Sequence, residues 1–239
     1  MLTLFHTIFY QPIFNLLIYL YNIIPGKDFG ASIIILTLII KLILYPLSRQ
    51  SIQAQKALQD INPDIEKIKE KYKDEKEKMG PEIMALYKEK KINPFSSCLP
   101  VLIQLPVLIA IYQVFFNSFA KADAMKDLYS FVANPGVLNP IAFGFLNLAS
   151  KSWVIAVLAG LAQFWQSKML MSKSKSGGTA AMMNQQMLYI MPVITIIIGS
   201  RFPAGLALYW LLTTLFTVAQ QYLVLGFKKA KYPALPAKN

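Results

Sequence analysis

Residues 30–47 read GASIIILTLIIKLILYPL, an apolar run that contains a single charged residue, Lys41. At about 1.5 Å per residue, a helix of this length roughly crosses a hydrocarbon core about 30 Å thick. The run therefore predicts a membrane-spanning helix over residues 29–48. An ammonium group inside such a helix costs about 2.5 to 3.5 kcal/mol on insertion scales, so Lys41 must reach water, a partner or a polar cavity. Snorkelling of its long stem toward the nearer interface is the simpler alternative.

Thr37 precedes Lys41 by one helical turn, so the two side chains share a helix face. Together they predict a polar stripe that faces away from lipid.

Composition places the chain among integral membrane proteins. Of its 239 residues 55% are hydrophobic and 15% are charged, and the mean hydropathy is +0.44. The net charge of +12 would suit nucleic acid, but the basic residues flank apolar runs, so we expect membrane retention and no DNA partner. No metal or cofactor is expected, because Cys98 and His6 are the only residues of their types and are interpreted as structural.

Four further apolar runs follow the first, which predicts an all-α membrane protein of five transmembrane helices around a hydrophilic groove. The predicted spans cover residues 29–48, 97–118, 152–172, 185–200 and 204–226. Prolines inside several of these runs predict bent helices and irregular packing.

Residues 1–26 are predicted to form an amphipathic helix. Its polar residues gather in one sector at 100° per residue, which favours a helix in the membrane interface over a spanning one. The absence of cationic residues leaves the second possibility open. No basic segment precedes the apolar run, so no cleaved signal peptide is expected.

Residues 49–93 are predicted to form a helical hairpin in water. Eleven basic and nine acidic residues surround sparse apolar positions between residues 49 and 91, and Gly80-Pro81 is the predicted break between the two helices. Farther along, the apolar patch LNPIAFGFLNLA at 138–149 is too short to cross a bilayer and is expected to rest on its surface.

The distribution of Lys and Arg predicts the orientation. The hairpin, the region around residues 168–175 and the short basic tail 227–239 carry 18 of them, and the segments on the other side carry five. The positive-inside rule places the hairpin and C-terminus in the cytoplasm and the start of the first span outside.

The predicted spans contain no acidic residue, and none follows Asp127 in the chain. Lys41 therefore has no intramembrane carboxylate, and its counter-charge must arrive with a ligand unless solvent reaches it. The missing carboxylates also weigh against an ion-coupled transporter. The other polar residues in the predicted spans are neutral, and the simpler interpretation is that they form hydrogen bonds between helices. In the last span they form a one-faced stripe: Tyr209, Thr213, Thr217 and Gln220.

Several motifs resemble the YidC/Oxa/Alb family of membrane protein insertases, over residues 11–225. They are KLILYPL at 41–47, EIMALYKEKKINPFSSCLPVLIQLPVLIAIY at 82–112, MPV at 191–193, and FPAGLALYW with VAQQ within 202–221. The second and last are specific, since Asn-Pro, Cys-x-Pro and Gln-x-Pro at these spacings ahead of a span rarely coincide.

The resemblance implies a groove in which the position of Lys41 receives the polar, often acidic, end of an incoming protein. Family members have arginine there, and lysine keeps the charge but loses planar bidentate pairing. Thr37 and Tyr209 match positions that contact a substrate's transmembrane segment. Groove lining is expected from four more residues: Gln104, Gln166, Trp210 and Thr213. The large outer domain of some Gram-negative members has no counterpart in these residues.

The resemblance implies an insertase and chaperone, not an enzyme. Its partners would be nascent membrane proteins and the lipid bilayer, with the Sec translocon and the ribosome as further partners through the hairpin and the basic tail. Two other hypotheses are a small-solute or ion transporter and a scaffold subunit that inserts nothing.

Overall fold

The computed structural model describes residues 2–97, 99–120, 124–171 and 185–226 of a mostly helical chain. Three features of the sequence lie outside these residues: Cys98, the basic loop at 172–178 and the tail at 227–239.

The N-terminal segment is a continuous helical rod. Helix α1, Leu2–Phe5, passes through a π-helical turn, His6–Tyr10, into α2, Gln11–Ile23. The π turn comes just before Pro12, which cannot donate the backbone hydrogen bond that α-helical continuation requires.

Three polar residues of this rod, Gln11, Asn15 and Asn22, bond to the chain between residues 127 and 133, whereas Thr3 and Thr7 are exposed. The Asn15 amide donates to the Asp127 carbonyl at 2.9 Å and accepts from the Tyr129 backbone N–H at 2.6 Å. Asn22 donates to the Ala133 carbonyl at 2.7 Å. These hydrogen bonds hold the rod against the chain at residues 127–133.

Helix α3, Phe29–Ile43, begins at Asp28, whose carboxylate accepts the Ala31 backbone N–H at 2.9 Å. It ends at Leu44, where the chain bends by 71° into α4, Tyr45–Lys71. Pro46 lies in the first turn of α4, where its missing N–H is tolerated. The single predicted segment 29–48 is therefore divided between two helices.

The predicted hairpin break at Gly80-Pro81 is wrong. The chain turns at Tyr72 to Glu75, and α5, Lys76–Glu89, continues through the glycine and the proline. Pro81 is the sixth residue of α5, past the first turn, so its missing N–H removes one helical hydrogen bond without ending the helix. Helix α4 packs against the 3-10 turn Pro94–Ser97, whereas no side chain of α5 is buried.

Four helices complete the bundle: α6 (Leu99–Ala120), α7 (Trp153–Leu170), α8 (Met191–Gly199) and α9 (Ala204–Gly226). A second π turn, Gln186–Ile190, precedes α8 and again comes just before a proline, Pro192. Helix α7 packs along both α8 and α9. Gly160 permits the close approach to α8, because a Cβ there would lie 2.4 Å from Ile196 Cγ1.

The connection between α6 and α7 contains a 3-10 turn, Ala124–Asp127, and two short strands, β1 (Ile141–Ala142) and β2 (Leu146–Asn147). The strands pair antiparallel, with Ile141 opposite Asn147. The all-α prediction therefore omits this small β-hairpin. Phe143 and Gly144 form its turn with positive φ angles.

The surface of the bundle is unusually apolar. Among the described residues, Ala204–Gly226 is long and apolar enough to cross a bilayer, and the bent pair α3 and α4 qualifies together. Leu102–Asn117 and Gln186–Gly199 are shorter apolar helices. Large apolar side chains such as Leu42, Leu161 and Trp165 are more than half exposed. Soluble proteins rarely expose so many large apolar side chains, and this pattern is typical of a helical membrane protein.

Candidate functional site

Lys41 lies in the last turn of α3 and is half-buried. Its Nζ donates to Thr217 Oγ1 on α9 at 2.8 Å, and the Thr217 hydroxyl donates to the Thr213 carbonyl at 2.8 Å. The ammonium thus points into the bundle and not along the helix toward an interface, which disfavours the snorkelling alternative.

The ammonium borders a cavity of about 330 Å³ between α3, α4, α6, α7 and α9. We call this cavity the recess. Its polar wall consists of Lys41, Ser48, Gln55, Gln104, Gln163, Gln166, Tyr209, Thr213, Thr214, Thr217 and Gln220, with Trp210 beside them. Its apolar wall consists of Leu44, Leu47, Ile52, Ile103, Leu105 and Leu108.

The electrostatics of the recess are simple. Lys41 is the only charged residue on its described wall, and that wall contains no carboxylate. A cation held by one neutral hydroxyl keeps donors for a negatively charged or strongly polar visitor, since an ammonium has three N–H groups. The recess can therefore attract and hold an acidic or polar group.

Tyr209 contributes to the wall from α9. Its side chain is only 1% exposed, and its hydroxyl accepts a hydrogen bond from the Gln104 amide of α6 at 2.7 Å. This bond ties two walls of the recess together.

Gln220 and Gln221 supply buried polar atoms that have no partner among the described residues. They are Gln220 Oε1 and both amide atoms of Gln221. Gln220 also lines the recess, so one of these buried amides belongs to the wall of the cavity. Buried polar atoms without partners are uncommon in folded proteins, and they occur where a ligand or water is bound.

The structure brings six of the seven predicted site residues to one cavity: Lys41, Gln104, Gln166, Tyr209, Trp210 and Thr213. Thr37 is 1% exposed, and its hydroxyl donates to the Ile33 carbonyl at 2.6 Å. Thr37 therefore lies in the protein core, one helical turn before Lys41 and outside the described wall of the recess. Its contact with substrate stays a prediction.

Sequence reasoning missed Ser48, Ile52 and Gln55. The prediction assigned residues 49–93 to a hairpin in water, whereas the bend at Leu44 turns the start of α4 under the recess. Pro46, two residues before Ser48, was the available signal for a helix break here.

The fold and the recess define a class: an α-helical membrane protein with a polar cavity for one visiting group. A family model described as 60Kd inner membrane protein matches residues 19–231. The chain therefore belongs to this family, the YidC/Oxa/Alb membrane protein insertases, which confirms the resemblance seen in the motifs. Insertases of this family are not enzymes.

Named relatives agree with this assignment. Membrane protein insertase YidC of Fusobacterium nucleatum is 37% identical over 83% of this chain and 86% of its own length. Membrane protein insertase MisCA of Bacillus subtilis is 33% identical over 93% of this chain and 79% of its own length. The relatives are bacterial, and the family is described as an inner membrane protein.

Other relatives are much longer. The chain covers only 38% of the YidC insertase of Rickettsia rickettsii, at 33% identity over 91% of this chain. A solved structure, described as an active YidC insertase with its first transmembrane domain resolved, matches with a TM-score of 0.61 and 26% identity, over 91% of this chain and 46% of that chain.

Proposed function

We propose that this membrane protein insertase receives the polar segment of a nascent membrane protein in the recess beside Lys41 and releases the apolar segment into lipid. The observation that carries the proposal is the hydrogen bond of a membrane-level ammonium to a neutral hydroxyl, on a described wall without carboxylates. Such a cation is electrostatically unsatisfied until an anionic or polar group arrives.

The recess lowers the free-energy cost of insertion because it shortens the distance that the polar segment travels through hydrocarbon. A polar segment that crosses hydrocarbon loses the hydration of its backbone and charges, which costs several kcal/mol for each unsatisfied group. A polar recess partway through the bilayer replaces part of that lost hydration. The apolar segment behind it then enters lipid with a gain of about 25 cal/mol per Å² of apolar surface buried, without nucleotide or covalent chemistry.

The topology in this proposal has five spans: α3, α6, α7, the π turn with α8, and α9. The hairpin α4–α5 and the C-terminus face the cytoplasm, and the starts of α3, α7 and α9 face outward. The supporting observations are the asymmetry of Lys and Arg and the alternating directions that five successive crossings require. The helix of residues 1–26 lies at the outer interface, since its side chains bind the connection between α6 and α7.

Tyr209 and Thr37 guide the transmembrane segment of the substrate in this proposal, with Gln104, Gln166, Trp210 and Thr213 as further groove-lining residues. Thr37 would contact it only after a small displacement of α3. The ribosome and the Sec translocon are proposed partners on the cytoplasmic side, where the exposed helix α5 offers alternating charges.

The test replaces Lys41 with Glu, Ala and Arg in the purified chain in proteoliposomes. The substrate is a small single-span protein with an acidic translocated tail, and the readout is its protection from added protease. Two unit charges 4 Å apart interact by about 4 kcal/mol at an effective dielectric constant of 20. Lys41→Glu reverses that sign, and we expect at least about a tenfold loss of insertion, which corresponds to about 1.4 kcal/mol.

Lys41→Ala should lie between Lys41→Glu and the unchanged chain, and Lys41→Arg should insert normally. Lys67→Glu is the matched control, because it makes the same charge change on a hairpin side chain that is 76% exposed. Normal insertion by Lys41→Glu of both the acidic substrate and a version with a neutral tail would refute the charge-receiving role.

A further inference from the structure

The connection between α6 and α7 carries four apolar side chains that are at least 40% exposed, which we call the outer tip: Phe131, Val137, Phe143 and Phe145. Phe131 is 76% exposed, Val137 is 96% exposed and Phe145 is 82% exposed. The Phe143 and Phe145 rings lie 6.4 Å apart. The insertion mechanism uses none of these side chains.

The outer tip is fixed in the fold. The Phe143 backbone N–H donates to the carboxylate of Asp28, the residue that caps α3. The Phe143 ring and Ala142 pack directly on Gly30, where an added Cβ would lie 2.6 Å from Ala142 Cβ. Phe145 therefore points outward from a rigid turn.

Three helices begin at the level of the outer tip. The Ala204 N–H of α9 donates to the Ser150 carbonyl at 2.7 Å, and Gly205 donates to Leu148 at 3.0 Å. Ser152 caps α7 through the Ile155 N–H, and Asp28 caps α3. The tip thus lies in the layer where these helices would enter the bilayer.

An exposed apolar wall runs away from this layer along one face of α7. Its side chains are between 44% and 69% exposed: Trp153, Val154, Leu158, Leu161 and Trp165. In the proposed five-span topology hydrocarbon covers this wall, so the layer in which α7 begins, and the tip with it, lies at the edge of the lipid. Aromatic side chains are enriched at that depth.

The charges around the tip suit lipid phosphates. Lys151 and Arg201 are exposed, and the backbone of Lys151 pairs with Pro203, two residues after Arg201 in the chain. The Asp28 carboxylate already accepts two backbone N–H groups, and the sequence after Asp127 contains no acidic residue. This rim would repel a basic protein surface and attract phosphate.

We propose that the outer tip is a membrane anchor, with Phe131 and Phe145 inserted among the lipid headgroups and Lys151 and Arg201 beside lipid phosphates. The anchor extends the sequence prediction that residues 138–149 rest on the bilayer. It requires the membrane placement of α7 but not the charge-receiving role of Lys41.

The test is a depth measurement on the full chain. In a Cys98→Ser background, Phe145→Cys is labelled with an environment-sensitive fluorophore and reconstituted in vesicles of phosphatidylethanolamine and phosphatidylglycerol. Quenching is measured with aqueous iodide and with lipids spin-labelled near the top or near the end of the acyl chain. Lys73→Cys, exposed in the hairpin turn, is the water reference, and Leu161→Cys, 58% exposed on α7, is the deep reference.

We expect a blue-shifted label at position 145 that is protected from iodide and quenched most by the shallow spin label. Iodide quenching equal to that at position 73 would overturn the anchor. Protection from both iodide and spin-labelled lipid would also overturn it, because the tip would then be covered by protein. Since fluorescence depth needs no substrate, a failure of insertion by Lys41 variants leaves this result unaffected.

Discussion

The hydrogen bond between Gln104 and Tyr209 crosses the recess from α6 to α9 and can be tested by itself. Tyr209→Phe removes the hydroxyl and leaves the Gln104 amide with one partner fewer. A buried polar group without a partner costs about 1 to 3 kcal/mol. We expect Tyr209→Phe and Gln104→Leu each to lower the thermal unfolding midpoint in detergent.

The double variant should lose less stability than the sum of the two single variants, because removal of both partners leaves no unpaired group. Strict additivity of the three shifts would show that the two side chains do not interact in the membrane-protein fold.

At this scale the sequence was most informative about charge. A lysine in an apolar run must reach water, a partner or a polar cavity, so the sequence alone predicts polar surroundings for Lys41. Thr37 was harder to interpret, because a threonine hydroxyl can satisfy itself on the carbonyl of its own helix, as it does with Ile33. Helical spacing alone does not distinguish that bond from a contact with substrate.

Helix packing provides a pair of identical substitutions with opposite expected effects. At Gly80 in α5 an added Cβ meets nothing within 4 Å, so Gly80→Ala should stabilise that helix by about 0.5 to 1 kcal/mol. At Gly160 the same Cβ would lie 2.4 Å from Ile196 Cγ1 and 3.0 Å from the Pro192 carbonyl oxygen. Gly160→Ala should therefore destabilise the contact of α7 with α8 by about 1 to 3 kcal/mol.

Hydrogen exchange measures both effects, since amides in α5 should exchange more slowly in Gly80→Ala and amides in α7 and α8 should exchange faster in Gly160→Ala. Unchanged protection of α7 and α8 would mean that these helices separate without loss of stability.

Element boundaries were less predictable than element types. The apolar runs and the amphipathic segments all proved helical where the structure describes them, because periodicity and hydropathy operate over many residues. The bend at Leu44 and the turn at Tyr72 depend on tertiary contacts, such as that of α4 with residues 94–97. The position of Pro81 led to the wrong prediction of a helix break at Gly80-Pro81. Helix α5 continues through Pro81, and the turn at Tyr72 to Glu75 contains no proline.

Across the whole molecule, one end is packed and the other is open. The main apolar core joins α2, α3, α6 and α9 to the connection that carries β1 and β2, with Phe14, Phe29 and Leu148 fully buried. The recess lies beyond this core, at the end of α3 that carries Lys41 and at the start of α4. In the proposed function, a visiting segment enters from the side of the hairpin and stops against the core.

The difference between the packed end and the recess end leads to a prediction about the orientation of the protein in the cell. In a Cys98→Ser background, Lys73→Cys lies in the turn between α4 and α5, and Asn134→Cys lies in the connection between α6 and α7; both side chains are exposed. The excess of Lys and Arg on the hairpin side opposes its transfer across the membrane. A membrane-impermeant maleimide added to intact spheroplasts should thus label position 134, and position 73 should react only after lysis. Labelling of position 73 before lysis would place the recess mouth outside, where no newly made chain could reach Lys41.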